Sequence, residues 1–342
     1  MEQGLNLVFH SKSPEVTVLT SCYNASRWLR EAIDSILGQT FEDFEFILVD
    51  DGSTDDTWSI IQAYRDRDQR IVAIRKTNTG LTDSLNVGIA NARGAWIARL
   101  DADDLCEADR LAEQFSFVRN HQEVVLLGTG DLEINEQGGV IKKQRYPSDH
   151  GTLVRHLRRV QRFFSHSTAF FRRDTALDAC CYNPLFRKSQ DWDFWMRFSE
   201  RGRIACLKKC LVRVRKHPGQ VTNSPAGSSQ LVYGTAASIC HFLRIGGYPD
   251  PSTGSDAVAW KGFLEWIERR IIGEGMFEKR KAWADARAEY FATENRLISA
   301  FCFGARLLQS GHTTSLAREK FFGSSLPERL AREWMKRSCT AS

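Results

Sequence analysis

Twice within its first 104 residues the chain drives a short apolar run straight into a cluster of aspartates. Phe44–Val49 ends in Asp50-Asp51-Gly52-Ser53-Thr54-Asp55-Asp56-Thr57, and Trp96–Leu100 ends in Asp101-Ala102-Asp103-Asp104. The runs are strand-length, and the stretches between them have helical spacing. Ser26–Gly38 places Trp28, Leu29, Ala32, Ile33, Ile36 and Leu37 on one face, with Gly38 as its stop. Val16–Thr20, Arg70–Arg75 and Val124–Gly128 read as further strands, and Asp55–Asp66 and Leu81–Ala92 as further helices, the first capped by Thr54. Strands alternating with helices predict an α/β fold, a mostly parallel sheet flanked by helices. Ligands of such sheets bind at the carboxyl ends of the strands, where both acidic clusters fall.

Beyond residue 130 the alternation weakens. Phe163–Phe171 reads as a strand, Asp191–Arg201 as a helix, and Ile204–Lys216 as a strand or hairpin. Pro218–Ser255, rich in Pro, Gly and Ser, reads as linker, with a helical pattern over Leu231–Ile245. The pattern after residue 256 is helical throughout, including WKGFLEWIERRI and KRKAWADARAEYFATENRLISAFCFGARLL. The expected division is therefore an extension 1–13, a main domain 14–222, a linker-like segment 223–255 and a helical C-terminal region 256–342. With 342 residues, 42% hydrophobic and 26% charged, the chain can bury a core without staples, which excludes wholesale disorder. A net charge of +5 is too mild to point to nucleic acid. The N-terminus lacks a signal pattern, and no run approaches the ~18 apolar residues of a membrane span. Nine cysteines without a CxxC pair argue against a zinc framework and for reduced thiols in a cytoplasm.

Asp101-Ala102-Asp103-Asp104 is the sharpest chemical feature. Carboxylates at a strand mouth suit a hard divalent cation such as Mn²⁺ or Mg²⁺, which takes oxygen ligands and bridges to phosphates. The plainer alternative is a solvated turn in which Asp104 caps the next helix through Arg110. After the second strand, Thr54–Thr57 reads as capping and Asp50 or Asp51 as available to a base N–H. In Gln190-Asp191-Trp192-Asp193, a carboxylate desolvated by aromatic neighbours suits a general base, and a helix start capped by Asp191 is the alternative. His217, before Pro218, could meet a metal or a phosphate or be an ordinary surface residue, and His166 in Ser165-His166-Ser167 is equally ambiguous.

VTVLTSCYNASRWLREAIDSILGQTFEDFEFILVDDGSTDDT, NTGLTDSLNVGIANARGAWIARLDADD, SQDWDFWMRFSERG and VRVRKHPG, in that order, resemble the family 2 glycosyltransferases of the GT-A fold over residues 14–222. The resemblance implies a nucleotide-binding half, 14–130, and an acceptor or catalytic half, 131–222. It implies that Ser21 and Tyr23 contact the nucleotide base and that Asp51 accepts the uracil N–H. Asp101 would hold ribose or donor sugar, Asp103 the metal, with His217 near metal or pyrophosphate, and Asp191 would be the general base. Ala108 stands where the family commonly has Pro, and Gln190 where an acid often precedes the base.

What the resemblance implies is inverting transfer from a nucleotide-sugar, UDP by default, to a hydroxyl of a glycan or lipid-linked oligosaccharide. Surface polysaccharide or lipopolysaccharide assembly is the setting, with cytoplasmic localisation. The basic segment Arg155–Arg162, and Trp260, Trp266, Trp283 and Trp334 among Arg and Lys in the tail, suggest peripheral contact with an anionic membrane. No nucleic-acid partner is expected. The rivals are a sugar-1-phosphate nucleotidyltransferase, which needs a Gly-rich basic loop absent from Ser21-Cys22-Tyr23-Asn24, and a non-catalytic nucleotide-sugar or glycan-binding module.

Overall fold

The computed structural model describes residues 13–218, 227–254, 256–273 and 325–340. In chain order the elements are β1 Val16–Cys22, α1 Leu29–Leu37, β2 Phe44–Asp50, α2 Thr57–Arg65, β3 Ile71–Arg75, α3 Leu81–Asn91 and β4 Trp96–Arg99. There follow β5 Leu105–Cys106, α4 Arg110–Asn120, β6 Val124–Ile134, β7 Val140–Gln144, α5 His150–Arg158, β8 Phe170–Arg172 and α6 Arg173–Asp178. The remainder are α7 Gln190–Ser199, β9 Arg203–Arg215, α8 Gly227–Ile245, α9 Ala257–Gly273 and α10 Leu326–Thr340. The chain divides into two compact units. The first runs to Leu153 and adds Phe163–Pro184 and Arg197–Pro218, and the second comprises Val154–Arg162, Leu185–Met196 and the chain from Gly219 onward.

The first unit is an α/β sheet of nine strands in the order β3-β2-β1-β4-β8-β6-β9-β5, with β7 paired to β6. β3, β2, β1 and β4 are parallel, and antiparallel pairing enters with β8. All seven residues of β2 are buried, as expected of a strand covered on both faces. Its Glu45 is tolerated there because Thr17 Oγ1 donates to it at 2.7 Å and Arg93 Nε at 2.7 Å. α1 turns Leu29, Ala32, Ile33 and Ile36 onto the sheet, the spacing read from sequence.

Local differences from the sequence reading have identifiable causes. The expected strand Phe163–Phe171 is a 3₁₀ turn, His166–Thr168, followed by the short β8. Thr168 donates to the Ser165 carbonyl through both its N–H, 2.9 Å, and its Oγ1, 2.8 Å, so the polar run closes its own turn instead of joining the ladder. Ile204–Lys216 is one strand, not a hairpin. Thr129 pairs with Leu207 and Gly130 with Cys210, so Lys208 and Lys209 bulge out without ending it. α2 is not capped by Thr54, whose N–H and hydroxyl both go to Asn24 Oδ1. Asp55 accepts from the Thr57 N–H at 3.0 Å instead.

In the second unit the segment read as linker carries α8. Ala236, Ala237, Ile239, Cys240 and Leu243 of α8 are buried in a cluster with Phe186, Trp260, Phe263, Trp266 and Leu330. Trp260 and Trp266 are each only 5% exposed, and Trp334 packs between Phe263 and Trp266 with centroid distances of 4.6 and 5.0 Å. These tryptophans are core, not membrane anchors, because each finds aromatic or aliphatic partners within its own unit. The whole tail segment Lys279–Leu308, Trp283 included, lies outside the described residues, as do residues 1–12 of the expected extension 1–13. No described helix is long and apolar enough to cross a membrane.

Candidate active site

The carboxyl ends of β1, β2, β3 and β4 lie along one edge of the first unit, and the acidic clusters open there. Register fixes the arrangement: Ser21 pairs with Val49, Cys22 with Asp50, and Asp50 with Arg75. Ser21 ends β1 half-buried, and Tyr23, 53% exposed, follows it. The loops after β1 and β2 are laced together. Asn24 N donates to Ser53 Oγ at 3.0 Å, Ala25 N to Thr57 Oγ1 at 2.8 Å and Ser26 N to Asp55 Oδ2 at 3.1 Å.

The two acids after β2 have different jobs. Asp50 is fully buried, accepts from the Ser53 N–H at 3.2 Å and pairs with Arg75 at 3.2 Å, so it shapes the turn. Asp51 faces the segment after β3. Its Oδ1 accepts from Lys76 Nζ at 2.5 Å and from the Thr79 N–H at 3.0 Å, and its Oδ2 from the Gly80 N–H at 2.9 Å. Burial alone would raise its pKa, but Lys76 and these N–H groups hold the carboxyl below its ordinary value. Gly52 makes the approach possible. Its φ is +71°, and a Cβ there would stand 2.8 Å from the Asn78 nitrogen.

After β4 the carboxyl oxygens of Asp101, Asp103 and Asp104 offer ligand atoms within 4.8 Å of one another. Asp101 bonds the Arg99 guanidinium, and Asp103 Oδ2 lies 2.9 Å from His217 Nε2. Asp104 is 2% exposed. It accepts from the Ser167 hydroxyl and, at 2.8 Å, from the Arg215 N–H. The cap role open to Asp104 in the sequence is therefore not the one it takes. Asp109 flanks the start of α4. Desolvation in the recess raises all three carboxyls, with different outcomes. Arg99 brings Asp101 back below its ordinary value. Asp103 is raised by burial and by the Asp101 charge, against His217. Asp104 is raised well above the ordinary range by burial and by the charges of Asp103 and Asp101.

His217 is fixed by its surroundings as well as by Asp103. The Trp28 ring lies 4.4 Å from it, centroid to centroid, and the Arg27 guanidinium lies 4.3 Å over Trp28. His166 is not a ligand of the recess. Its Nε2 meets Tyr182 Oη at 2.7 Å, and burial followed by the Arg99 charge pushes its pKa well below the usual value. Asp191 belongs to the second unit, in the first turn of α7. Its Oδ1 accepts from the Trp192 N–H at 2.9 Å, while Trp192 Nε1 donates to the Leu157 carbonyl at 3.0 Å. Sequence reasoning gave Arg99 and Ser167 no role at the site, and read Arg110 only as part of the next helix and Trp28 only as part of an apolar face. Arg99 was findable, as an arginine inside an otherwise apolar strand. Arg110 is fully buried and donates to the Arg99 carbonyl at 2.8 Å and to the Ala169 carbonyl at 3.3 Å, pinning the backbone on both sides of the recess.

The family model for glycosyl transferase family 2 matches residues 17–195, and the chain belongs to that family. It is similar to EpsE of Bacillus subtilis, 36% identical over 213 residues that cover 60% of this chain and 74% of EpsE. The O-antigen biosynthesis glycosyltransferase WbnJ of Escherichia coli is 29% identical over 229 residues that cover 65% of this chain and 86% of WbnJ. Among solved structures, residues 1–349 of S. aureus TarS in complex with UDP-GlcNAc share the fold with a TM-score of 0.55 at 20% identity. That match covers 67% of this chain and 66% of that one. The chain is a glycosyltransferase, with a relative in O-antigen biosynthesis.

Proposed function

We propose that the protein transfers a sugar, with inversion, from a nucleotide-sugar to a hydroxyl of a glycan or lipid-linked oligosaccharide. The observation that carries this reading is the recess of Asp101, Asp103 and Asp104 at the end of β4, with His217 set against Asp103. UDP is the first nucleotide to try, since the TarS structure similar in fold holds UDP-GlcNAc.

In this reading Ser21 and Tyr23 flank the base, and Asp51, kept ionised by Lys76, accepts its N–H. Because Lys76, Thr79 and Gly80 already donate to Asp51, base binding draws on the same carboxylate and shifts that segment. Asp101 holds ribose or donor sugar. Hard carboxylate oxygens beside an imidazole fit Mn²⁺ or Mg²⁺, which Asp103 and His217 would hold. Bound there, the ion would offset the charge of the departing diphosphate. Asp191 takes the proton of the acceptor hydroxyl as that oxygen attacks the anomeric carbon from the face opposite the nucleotide. One carboxylate base suffices, unlike the carboxylate pairs of glycosidases.

The test is a panel of UDP-, GDP- and dTDP-sugars with an oligosaccharide acceptor, reading nucleotide release with Mn²⁺ and with EDTA. Release from one donor that needs the metal, and its loss in Asp191→Asn with donor binding retained, is the expected result. Full turnover by Asp191→Asn would remove that residue from the role. Donor binding without release from any donor would favour a non-catalytic nucleotide-sugar-binding module, and neither binding nor release would favour a glycan-binding one.

A further inference from the structure

One hydroxyl ties the acid recess together, and the family reading gives it no role. Ser167 is fully buried in the 3₁₀ turn before β8. Its Oγ accepts from Arg99 Nη1 at 3.0 Å and from the Asp101 N–H at 3.1 Å. The same oxygen lies 3.0 Å from Asp101 Oδ2 and within bonding distance of Asp104 Oδ2. A serine hydroxyl has two lone pairs and one proton. The two N–H donors fill the lone pairs, so a single proton serves two carboxylates.

We propose that Ser167 is the positioning residue of this recess, passing its one hydroxyl hydrogen bond between Asp101 and Asp104. When Asp101 turns toward a ligand, the hydroxyl holds Asp104. When Asp101 is at rest, Arg99 and Ser167 hold it together. The supports around the hydroxyl are rigid, because Arg99 is 2% exposed and Arg110 pins the carbonyls of Arg99 and Ala169. This inference rests on the recess being the nucleotide and cation site.

The experiment is calorimetry of UDP, GDP and dTDP binding, each with Mn²⁺ and with EDTA, on the full chain and on Ser167→Ala and Ser167→Thr. A hydrogen bond to a charged group is worth enough that Ser167→Ala should lose roughly tenfold of the Mn²⁺-dependent affinity, with Ser167→Thr recovering to within about threefold. The EDTA arm should fall less than the Mn²⁺ arm, since the base contacts at Ser21, Tyr23 and Asp51 lie elsewhere and only the Asp101 contact is shared. An undiminished Mn²⁺ effect in Ser167→Ala overturns the inference, and so does a parallel loss in both arms that Ser167→Thr does not recover. Wild-type protein whose nucleotide binding ignores Mn²⁺ overturns the underlying reading instead. Should Ser167→Ala not fold, Ser167→Cys, with its weaker donor, is read by the same criteria.

Discussion

Asp101, Asp103 and Asp104 are sequence neighbours held differently: Asp101 by Arg99 and Ser167, Asp103 by His217, and Asp104 by Ser167 and the Arg215 N–H. Proximity in sequence brought the charges together, and residues from β4, β9 and the 3₁₀ turn divided their roles. Asp55 shows the same logic in a structural setting. Burial would raise it, yet bonds from Thr57 and Ser26 hold its pKa at about 2, below an ordinary 3.8. A depressed folded pKa means the unfolded chain binds the extra proton first. The stability Asp55 contributes is therefore present above pH ~4 and is lost as pH falls toward ~2. Asp55→Ala is expected to cost about 1 kcal/mol near neutrality, discounted because the residue is exposed, and to flatten that acid limb. Denaturant unfolding followed from pH 7 to pH 2 measures both. The acids were legible in the sequence. Ser167 was not, because a serine in a polar run gives no sign of which distant carboxylates it will meet.

At the scale of elements, the site exists because parallel strands end together. β1 can carry Ser21 next to β2 only if β4 packs closely on its other side, and Gly94 permits that approach. A Cβ at Gly94 would lie 2.4 Å from the Thr17 nitrogen, and the Gly94 N–H donates to Thr17 Oγ1 at 2.9 Å. Gly94→Ala is expected to destabilise the first unit by about 1–3 kcal/mol through overpacking against backbone. Thermal unfolding should show the lowered midpoint, and an unchanged midpoint would mean that the β1–β4 contact yields easily. β1–β4 and α1–α3 were legible from apolar periodicity, within a few residues at their ends, whereas the two-residue β5 and the bounds of helix α4 were not read from the sequence. The strand expected over Phe163–Phe171 forms only at its end, as β8, because Ser165 and Thr168 satisfy the backbone locally before it. The helix within 223–255 was legible, but its burial was not, since that depends on Trp260 and Trp266 arriving from later in the chain.

At the scale of the whole molecule, the net charge of +5 and the basic segment Arg155–Arg162 bear on membrane contact. The structure narrows that idea. Arg158 is tied down, donating to His241 Nε2 at 3.0 Å, whereas Arg155 is exposed. Trp260 and Trp266 are buried and do not face such a surface, so the expected attraction is electrostatic. Co-sedimentation with anionic liposomes is expected at low salt, to fall away as salt rises, and to leave the tryptophan emission unshifted. A blue shift on binding would instead mean that tryptophans enter the lipid, and no binding at low salt would end the proposal.

The sequence by itself determined the alternation of strand and helix, the acids at the strand ends and the family, because these are local patterns of polarity and spacing. Tertiary structure alone decided that Ser167 holds Asp101, that Trp28 packs on His217, and that Trp260 and Trp266 are core. Each of those pairs residues far apart in the chain, and only packing determines which polar groups lose water together and must satisfy one another.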